Sequence, residues 1–286
     1  LIVSYPDTLG ACLALCDLPT HERWPLFEAA TGLRREQAIA FPERAISPQA
    51  AALFLRMIEQ RRQGVPVAYL TGFREFFGHS FWVNPATLIP RIETELLVET
   101  VIRHARSLPT PFQICDLGTG SGCIGISLAL ALADAQVTVT DQSPLALVTA
   151  RNNAAWLGAK ARMRFLPGSW WGAVEGQLPN RFHAVVSNPP YVRPRDPHLS
   201  QGDLRFEPMS ALAGLSEDQD GLADIRQILD RILDHLEPNG LCLIEHGADQ
   251  QEAVLDCFAA SGLVRITGLR DQAGQPRAVL GYRSAE

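Results

Sequence analysis

The sequence predicts an α/β protein: a doubly wound, mostly parallel seven-stranded sheet, preceded by a small N-terminal helical domain and a β-hairpin linker. Three observations predict it. From Pro111 onward, short apolar strand-like runs alternate with helix-like segments. Before Pro66, apolar residues recur at helical spacing with Gly or Pro between the runs. Between these regions, Pro66 to Pro90 is rich in aromatic and β-branched residues. At 286 residues, 47% hydrophobic and 20% charged, the chain can bury a sizeable core, which excludes a largely disordered protein.

In chain order, Thr8–Asp17, Glu22–Thr31, Arg34–Phe41 and Pro48–Gln63 read as helices of a first domain, residues 1–65. In the last of them Ala51, Leu55 and Ile58 share one face, and Arg56, Glu59, Arg61 and Arg62 read as a solvated rim. Val67–Gly72 and Phe76–Val83 read as short strands of a hairpin linker, residues 66–90. The third region, 91–286, opens with a helix from Glu93 to about Ser107. Its predicted strands are Gln113–Leu117, Gln136–Asp141, Met163–Leu166, Phe182–Ser187, Leu241–Glu245, Val264–Leu269 and Ala278–Tyr282. Its further helices are Ser121–Asp134, Ser143–Leu157, Leu222–Leu236 and Gln250–Ser261. No helix separates the last two strands, so they are expected to pair antiparallel at one edge. Pro189 to Asp220 shows no periodicity, and so long a loop in a compact domain is more often functional than idle.

The net charge of −6 and pI near 5.7 argue against a broad basic face that grips nucleic acid. Cysteines at 12, 16, 115, 123, 242 and 257 form no C-x-x-C pair and read as buried free thiols of a reducing, cytoplasmic setting. The seven histidines neither pair at i, i+4 nor cluster with cysteine, so no metal is expected. His246 reads as structural, and Trp24, Trp82 and Trp156 as packing residues. The opening residues lack a basic segment followed by an apolar run, so no secretory signal is expected, and no apolar stretch is long enough to span a bilayer.

Two motifs bear chemistry. Asp116-Leu117-Gly118-Thr119-Gly120-Ser121-Gly122 ends the first parallel strand, where glycines let a ligand approach the backbone. Asp141 ends the next strand, nineteen residues after Gly122, where a carboxylate can accept both hydroxyls of a ribose. Together they predict an adenosine-containing cofactor. Asp116 before the loop suits an amine or sulfonium better than a pyrophosphate. Gly120–Gly125 also satisfies G-x-G-x-x-G, which keeps a nicotinamide dinucleotide as an alternative. The second motif is Asn188-Pro189-Pro190-Tyr191, directly after a strand. The Asn188 side-chain oxygen and the Pro189 carbonyl can accept both hydrogens of a planar –NH2, and Tyr191 offers an aromatic face. An amide nitrogen is a poor nucleophile because its lone pair is delocalised. Two fixed acceptors raise its electron density, and in-line positioning against a methyl sulfonium supplies much of the rest. The bland readings are a glycine turn that binds nothing and a proline-stiffened turn without a role.

These motifs resemble class I S-adenosylmethionine methyltransferases, with their Rossmann-like sheet. Within them the match narrows to the HemK/PrmC family of release-factor glutamine N5-methyltransferases. The resemblance includes Pro66–Gly72, Leu88–Glu95, Ser187–Tyr191, Arg205–Pro208, Glu245–Gly247 and Asp271 to Gly281. It implies that 1–65 recognises the substrate and that 91–286 is the methyltransferase domain. It implies S-adenosylmethionine as cofactor, leaving as S-adenosylhomocysteine, held by Gly118, Thr119, Gly120, Ser121, Gly122, Asp141, Trp170 and Asn188. The adjacent Trp171 is a second candidate for the adenine. Asn188, Pro189, Pro190 and Tyr191 would hold the substrate, with Asn188, Pro189 and Tyr191 catalytic. The implied partner is a class I peptide chain release factor, methylated on its Gly-Gly-Gln glutamine by a cytoplasmic monomer that touches neither nucleic acid nor membrane. Rival readings are glutamine methylation of a ribosomal protein, amino methylation of a nucleic-acid base, a dinucleotide oxidoreductase, and a cofactor-sensing adapter. Arg205 and Glu207 stand open between a loop-stabilising ion pair and closure over substrate.

Overall fold

The computed structural model describes residues 5–105, 110–214 and 219–285. The chain divides into two compact units, one running to Phe73 and taking in Gln201–Phe206, the other holding Arg74–Ser200 and the chain from Glu207.

In the first unit, helix starts follow side-chain chemistry. Helices α1 (Leu9–Ala14), α2 (Thr20–Thr31), α3 (Arg35–Ala40) and α4 (Pro48–Arg62) lie where the sequence predicts helices. Thr8 caps α1 by accepting from the Ala11 N–H, and Ser47 caps α4 from Ala50 with Pro48 in the first turn. Leu9, Phe27, Phe54 and Ile58 meet in one core, with edge-to-face contacts from Trp24 to Phe27 and from Phe27 to Phe54. Arg61 departs from the expected solvated rim. Its guanidinium pairs with Glu22 at 2.6 Å and Asp203 at 2.7 Å and donates to the Val65 carbonyl. Arg205, in the same Gln201–Phe206 segment, donates to the Gln63 carbonyl and lies 4.8 Å over the Phe206 ring.

Residues 67–72, expected as a strand, form instead helix α5 (Val67–Thr71). Pro66 precedes it with a φ that suits a helix start, and Gly72 ends it at φ +80°, donating to the Ala68 carbonyl. Val67 and Leu70 pack on the helical core, so tertiary burial outweighs their β propensity. The hairpin is β1 (Phe73–Phe76) with β2 (His79–Trp82).

The second unit continues with α6 (Glu95–Ala105), β3 (Phe112–Leu117), α7 (Cys123–Ala131), β4 (Ala135–Asp141), α8 (Pro144–Trp156), β5 (Met163–Pro167) and β6 (Phe182–Ser187). The predicted end of α6 at Ser107 lies outside the described residues. There follow α9 (Met209–Leu212), α10 (Ala223–Asp230), α11 (Ile232–His235), β7 (Leu236–Glu245), α12 (Gln251–Ala260), β8 (Val264–Arg270) and β9 (Pro276–Tyr282). The single helix expected over Leu222–Leu236 is broken at Arg231, whose φ of −121° is not helical, and the next strand starts five residues before Leu241.

The strand order is β5-β4-β3-β6-β7-β9-β8. Pairs from β5 to β7 are parallel, and β9 runs antiparallel to both β7 and β8. The closing hairpin is thus antiparallel as expected, and its second strand lies inside the sheet. Central strands bury both faces: Ile114 and Val186 lie on one side with α6 and α7, Cys115 and Val185 on the other with α10 and α12. Among the tryptophans expected to pack, Trp24 is buried, whereas Trp156 is 75% and Trp82 38% exposed. Trp156 ends α8 on its outer face, in line with exposed Leu145 and Val148. Among the described residues no helix is long and apolar enough to cross a membrane.

Candidate active site

Four adjacent parallel strands, β5, β4, β3 and β6, bring the loops after their carboxyl ends to one crevice. An open cavity lies there, lined by Gly118, Thr119, Gly120, Ser121, Asp141, Trp170, Asn188 and Pro190.

Asp116 shapes the first loop from beneath rather than facing the cavity. It is fully buried, and its Oδ2 accepts from Thr119 Oγ1 at 2.6 Å and from the Gly125 N–H at 3.0 Å. Burial pushes its pKa up to about 6, against those two hydrogen bonds. Gly118 sits at φ +71°, and a Cβ there would lie 3.3 Å from the Trp170 ring. A side chain would therefore invade the cavity wall as well as strain the turn. Gly122 does not line the cavity. It starts α7, and a Cβ would lie 2.6 Å from Ile126 Cδ1, so it serves close helix packing.

Asp141 faces the cavity, with Oδ2 accepting from the Gly120 N–H at 2.9 Å and Oδ1 from Ser143 at 2.8 Å. Burial raises its pKa and these backbone donors oppose the rise. Each oxygen retains a lone pair for a further donor. The two indoles separate cleanly. Trp170 lines the cavity at φ +43°, with its ring N–H held by Asp224 Oδ1 at 3.1 Å. Trp171 is buried, stacked on His235 at 4.1 Å and donating to the Ile228 carbonyl.

The opposite end is built around Asn188. The parallel register pairs Ser187 with Ile244, so the residues that follow, Asn188 and Glu245, leave neighbouring strands side by side. Asn188 Nδ2 donates to Thr94 Oγ1 at 3.1 Å. Thr94 Oγ1 donates to Glu245 Oε2 at 2.7 Å, and the Tyr191 hydroxyl to Glu245 Oε1 at 3.1 Å. Glu245 is 1% exposed; burial pushes its pKa up to about 7, opposed by these two hydrogen bonds and by Arg277. Pro189 is buried and Pro190 reaches the cavity. Tyr191 does not line it, contrary to the flat-face role expected from its ring. The Tyr191 and Val192 N–H groups both donate to the Leu212 carbonyl, and the phenol donates to Glu245.

Arg205 and Glu207 do not pair with each other. Glu207 is buried, accepts from the Ile89 N–H at 2.9 Å and pairs with Arg91, which lines the cavity. His246 is buried, with Nδ1 at 2.8 Å from the Gly247 carbonyl, in keeping with a structural role. Sequence reasoning missed Thr94, Asp224 and the role of Glu245. Thr94 and Glu245 lay in segments that signalled the family, but nothing local tied them to Asn188.

The sequence profile of the Methyltransferase small domain matches residues 92–202, and that of the PrmC N-terminal domain matches residues 10–72. The chain is 41% identical over 265 residues to the release factor glutamine methyltransferase of Salmonella typhimurium, covering 93% of this chain and 92% of that one. It is 41% identical over 277 residues to that of Burkholderia pseudomallei, covering 96% and 95%. Among solved structures, a methyltransferase from Pyrococcus furiosus superposes with a TM-score of 0.52 at 14% identity, covering 80% of this chain and 98% of that one. That likeness speaks to the fold alone.

Proposed function

The chain belongs to the release factor glutamine methyltransferases, as relatives 41% identical over 93% and 96% of its length show, and from that premise we propose how its cavity serves the reaction. The family's reaction is transfer of a methyl group to the side-chain amide nitrogen of a protein glutamine. S-adenosylmethionine, when bound, supplies an electrophilic methyl group on a sulfonium and leaves as S-adenosylhomocysteine. The residues present fit that group. The cavity lies at the carboxyl ends of the parallel strands, where open α/β sheets bind small molecules. It presents a carboxylate with spare lone pairs at Asp141, a glycine wall a Cβ would fill at Gly118, and a held indole at Trp170.

In this reading Gly118, Thr119, Gly120 and Ser121 line the cofactor, Gly122 closes the loop onto α7, Asp141 accepts from the ribose hydroxyls, and Trp170 flanks the adenine. Asn188 Oδ1 and the Pro189 carbonyl accept the two hydrogens of the substrate amide and raise electron density at its nitrogen. No strong base is needed beforehand, because that N–H becomes acidic only after alkylation. Pro190 shapes the substrate side, and Tyr191 supports it from behind. Residues 1–65 recognise the substrate, 66–90 form the linker of α5 and the hairpin, and 91–286 carry the chemistry. The substrate is the Gly-Gly-Gln glutamine of a class I release factor, met by a cytoplasmic monomer.

The observation that supports this most is the placing of Asn188 and Asp141 on one cavity, at the ends of strands separated only by β3. The test is incubation with methyl-labelled S-adenosylmethionine and an unmethylated class I release factor, followed by mass spectrometry of the Gly-Gly-Gln peptide. One methyl on its glutamine is expected. An unlabelled factor, or label only on a ribosomal protein or a nucleic acid, overturns the reading.

A further inference from the structure

A carboxamide that must accept hydrogen bonds has an inherent ambiguity. Turning Asn188 by half a turn about χ2 exchanges Oδ1 for Nδ2 with little change in shape. One setting offers a substrate –NH2 an acceptor, and the other sets donor against donor. Nothing within residue 188 selects between them, and the adjoining prolines fix only the backbone.

The selection lies one and two residues away in space. An ionised carboxylate only accepts, so at Glu245 both neighbouring hydroxyls, Thr94 at 2.7 Å and Tyr191 at 3.1 Å, must donate. The Thr94 hydroxyl then has no hydrogen left, and toward Asn188 it can only accept. The atom of Asn188 that faces it, at 3.1 Å, is therefore Nδ2. We infer that Thr94 and Glu245 are positioning residues that fix which end of the Asn188 carboxamide faces the substrate amide. The direction of donation passes from a buried charge through one hydroxyl to the reacting site. Glu245 touches neither cavity nor substrate in this arrangement, and Thr94 reaches the cavity wall. Tyr191 holds the second carboxylate oxygen and keeps the first for Thr94. Burial of Glu245 disfavours its ionised form, and the two hydroxyls and the charge of Arg277 oppose that and support it. The inference rests on the assignment of Asn188 to the substrate amide made above.

Three variants of similar size test it. Thr94→Val removes the hydroxyl with little change in shape, Thr94→Ser restores it, and Glu245→Gln replaces one acceptor oxygen with a donor. With the full-length enzyme and a release factor, Thr94→Val is expected to lower kcat about tenfold to a hundredfold. The KM for S-adenosylmethionine should stay within about twofold, and Thr94→Ser within about threefold of wild type. Glu245→Gln should lower kcat about tenfold. In an Asn188→Ala background Thr94→Val should cost nothing further, because a positioning residue acts only through what it positions. An unchanged kcat in Thr94→Val, failure of Thr94→Ser to restore it, or a full further loss in the Asn188→Ala background overturns the inference. A second readout needs no substrate. In the free protein labelled with 15N-asparagine, the side-chain –NH2 of Asn188, identified by its loss in Asn188→Ala, should show one hydrogen shifted and protected. Thr94→Val should abolish that asymmetry and Thr94→Ser keep it. A symmetric, unprotected –NH2 in wild type overturns the inference, whereas an unlabelled release factor overturns only the substrate reading.

Discussion

The two ends of the cavity are made differently. At the end proposed for the cofactor, the lining groups come from short stretches of chain: Gly118 to Ser121, Asp141 and its neighbour Ser143, and Trp170. Asp141 is held there by backbone N–H groups, Ser143 from its own turn and Gly120 from the neighbouring loop. At the amide end, Asn188, Thr94, Tyr191 and Glu245 come from segments up to 151 residues apart, joined through side chains alone. A site built from backbone donors tolerates change at many side chains. A side-chain relay fails at any link, and each failure leaves a buried polar group unpaired.

Substitutions should therefore separate the two ends by which constant they move. Asn188→Ala should lower single-turnover methyl transfer about 100- to 1,000-fold, the scale seen when one preorganised polar contact to a reacting group is lost. Calorimetry should find its cofactor affinity within about twofold of wild type. Equal losses in affinity and turnover would show that the two ends are not distinct.

Asp141→Ala should do the reverse. Loss of a partly buried charged acceptor should weaken cofactor binding about 10- to 100-fold, with turnover near wild type at saturation. An unchanged affinity would remove Asp141 from the cofactor end.

The relay should also impose a pH dependence that the backbone-built end lacks. Glu245 faces Tyr191, Arg277 and Glu93, and its carboxyl titrates at about 7. Protonation lets the carboxyl donate and abolishes the one-way order of the relay. Turnover should thus rise about tenfold from pH 6 to pH 8, and Glu245→Gln should flatten that rise. Stability moves oppositely. The folded pKa lies above the ordinary 4.5, so the favourable contribution of this group is complete below about 4.5 and lost as pH rises through about 7. The wild-type urea midpoint should fall across that window, and that of Glu245→Gln should fall less.

The smallest effect is expected at Asp224, which holds the Trp170 ring N–H from behind. Asp224→Ala should weaken cofactor binding about two- to fivefold, the value of one partly exposed hydrogen bond. Intrinsic fluorescence of Trp170 should respond to cofactor in wild type and less in the variant.

Much of the sheet was legible because each βα unit announces itself locally. Phe182–Ser187 is strand as predicted, and β3, β4 and β5 begin and end within a residue of expectation. The errors fall where long-range packing decides. Val67–Thr71 reads as strand in isolation and is helical because its apolar side chains meet the helical core. Arg61 reads as solvated and is instead a hub, because Asp203 is brought to it from 142 residues away. Tyr191 reads as a flat platform, and its hydroxyl donates instead to Glu245, 54 residues away, a contact its own tetrapeptide does not encode. The separation of Trp170 at the cavity wall from buried Trp171 likewise involves Asp224 and His235, distant in the chain.

The sequence by itself placed the glycine-rich loop, the strand-end carboxylate at Asp141 and the Asn188–Tyr191 motif. Each depends on turn and strand-end positions set by neighbours within a few residues. Only the tertiary structure brought Asn188 against Thr94, and Thr94 against Glu245. The register of β6 on β7 lays Asn188 beside Glu245, and the turn before α6 lowers Thr94 between them. A direction of hydrogen-bond donation depends on which groups meet, and these meet only once the sheet is assembled.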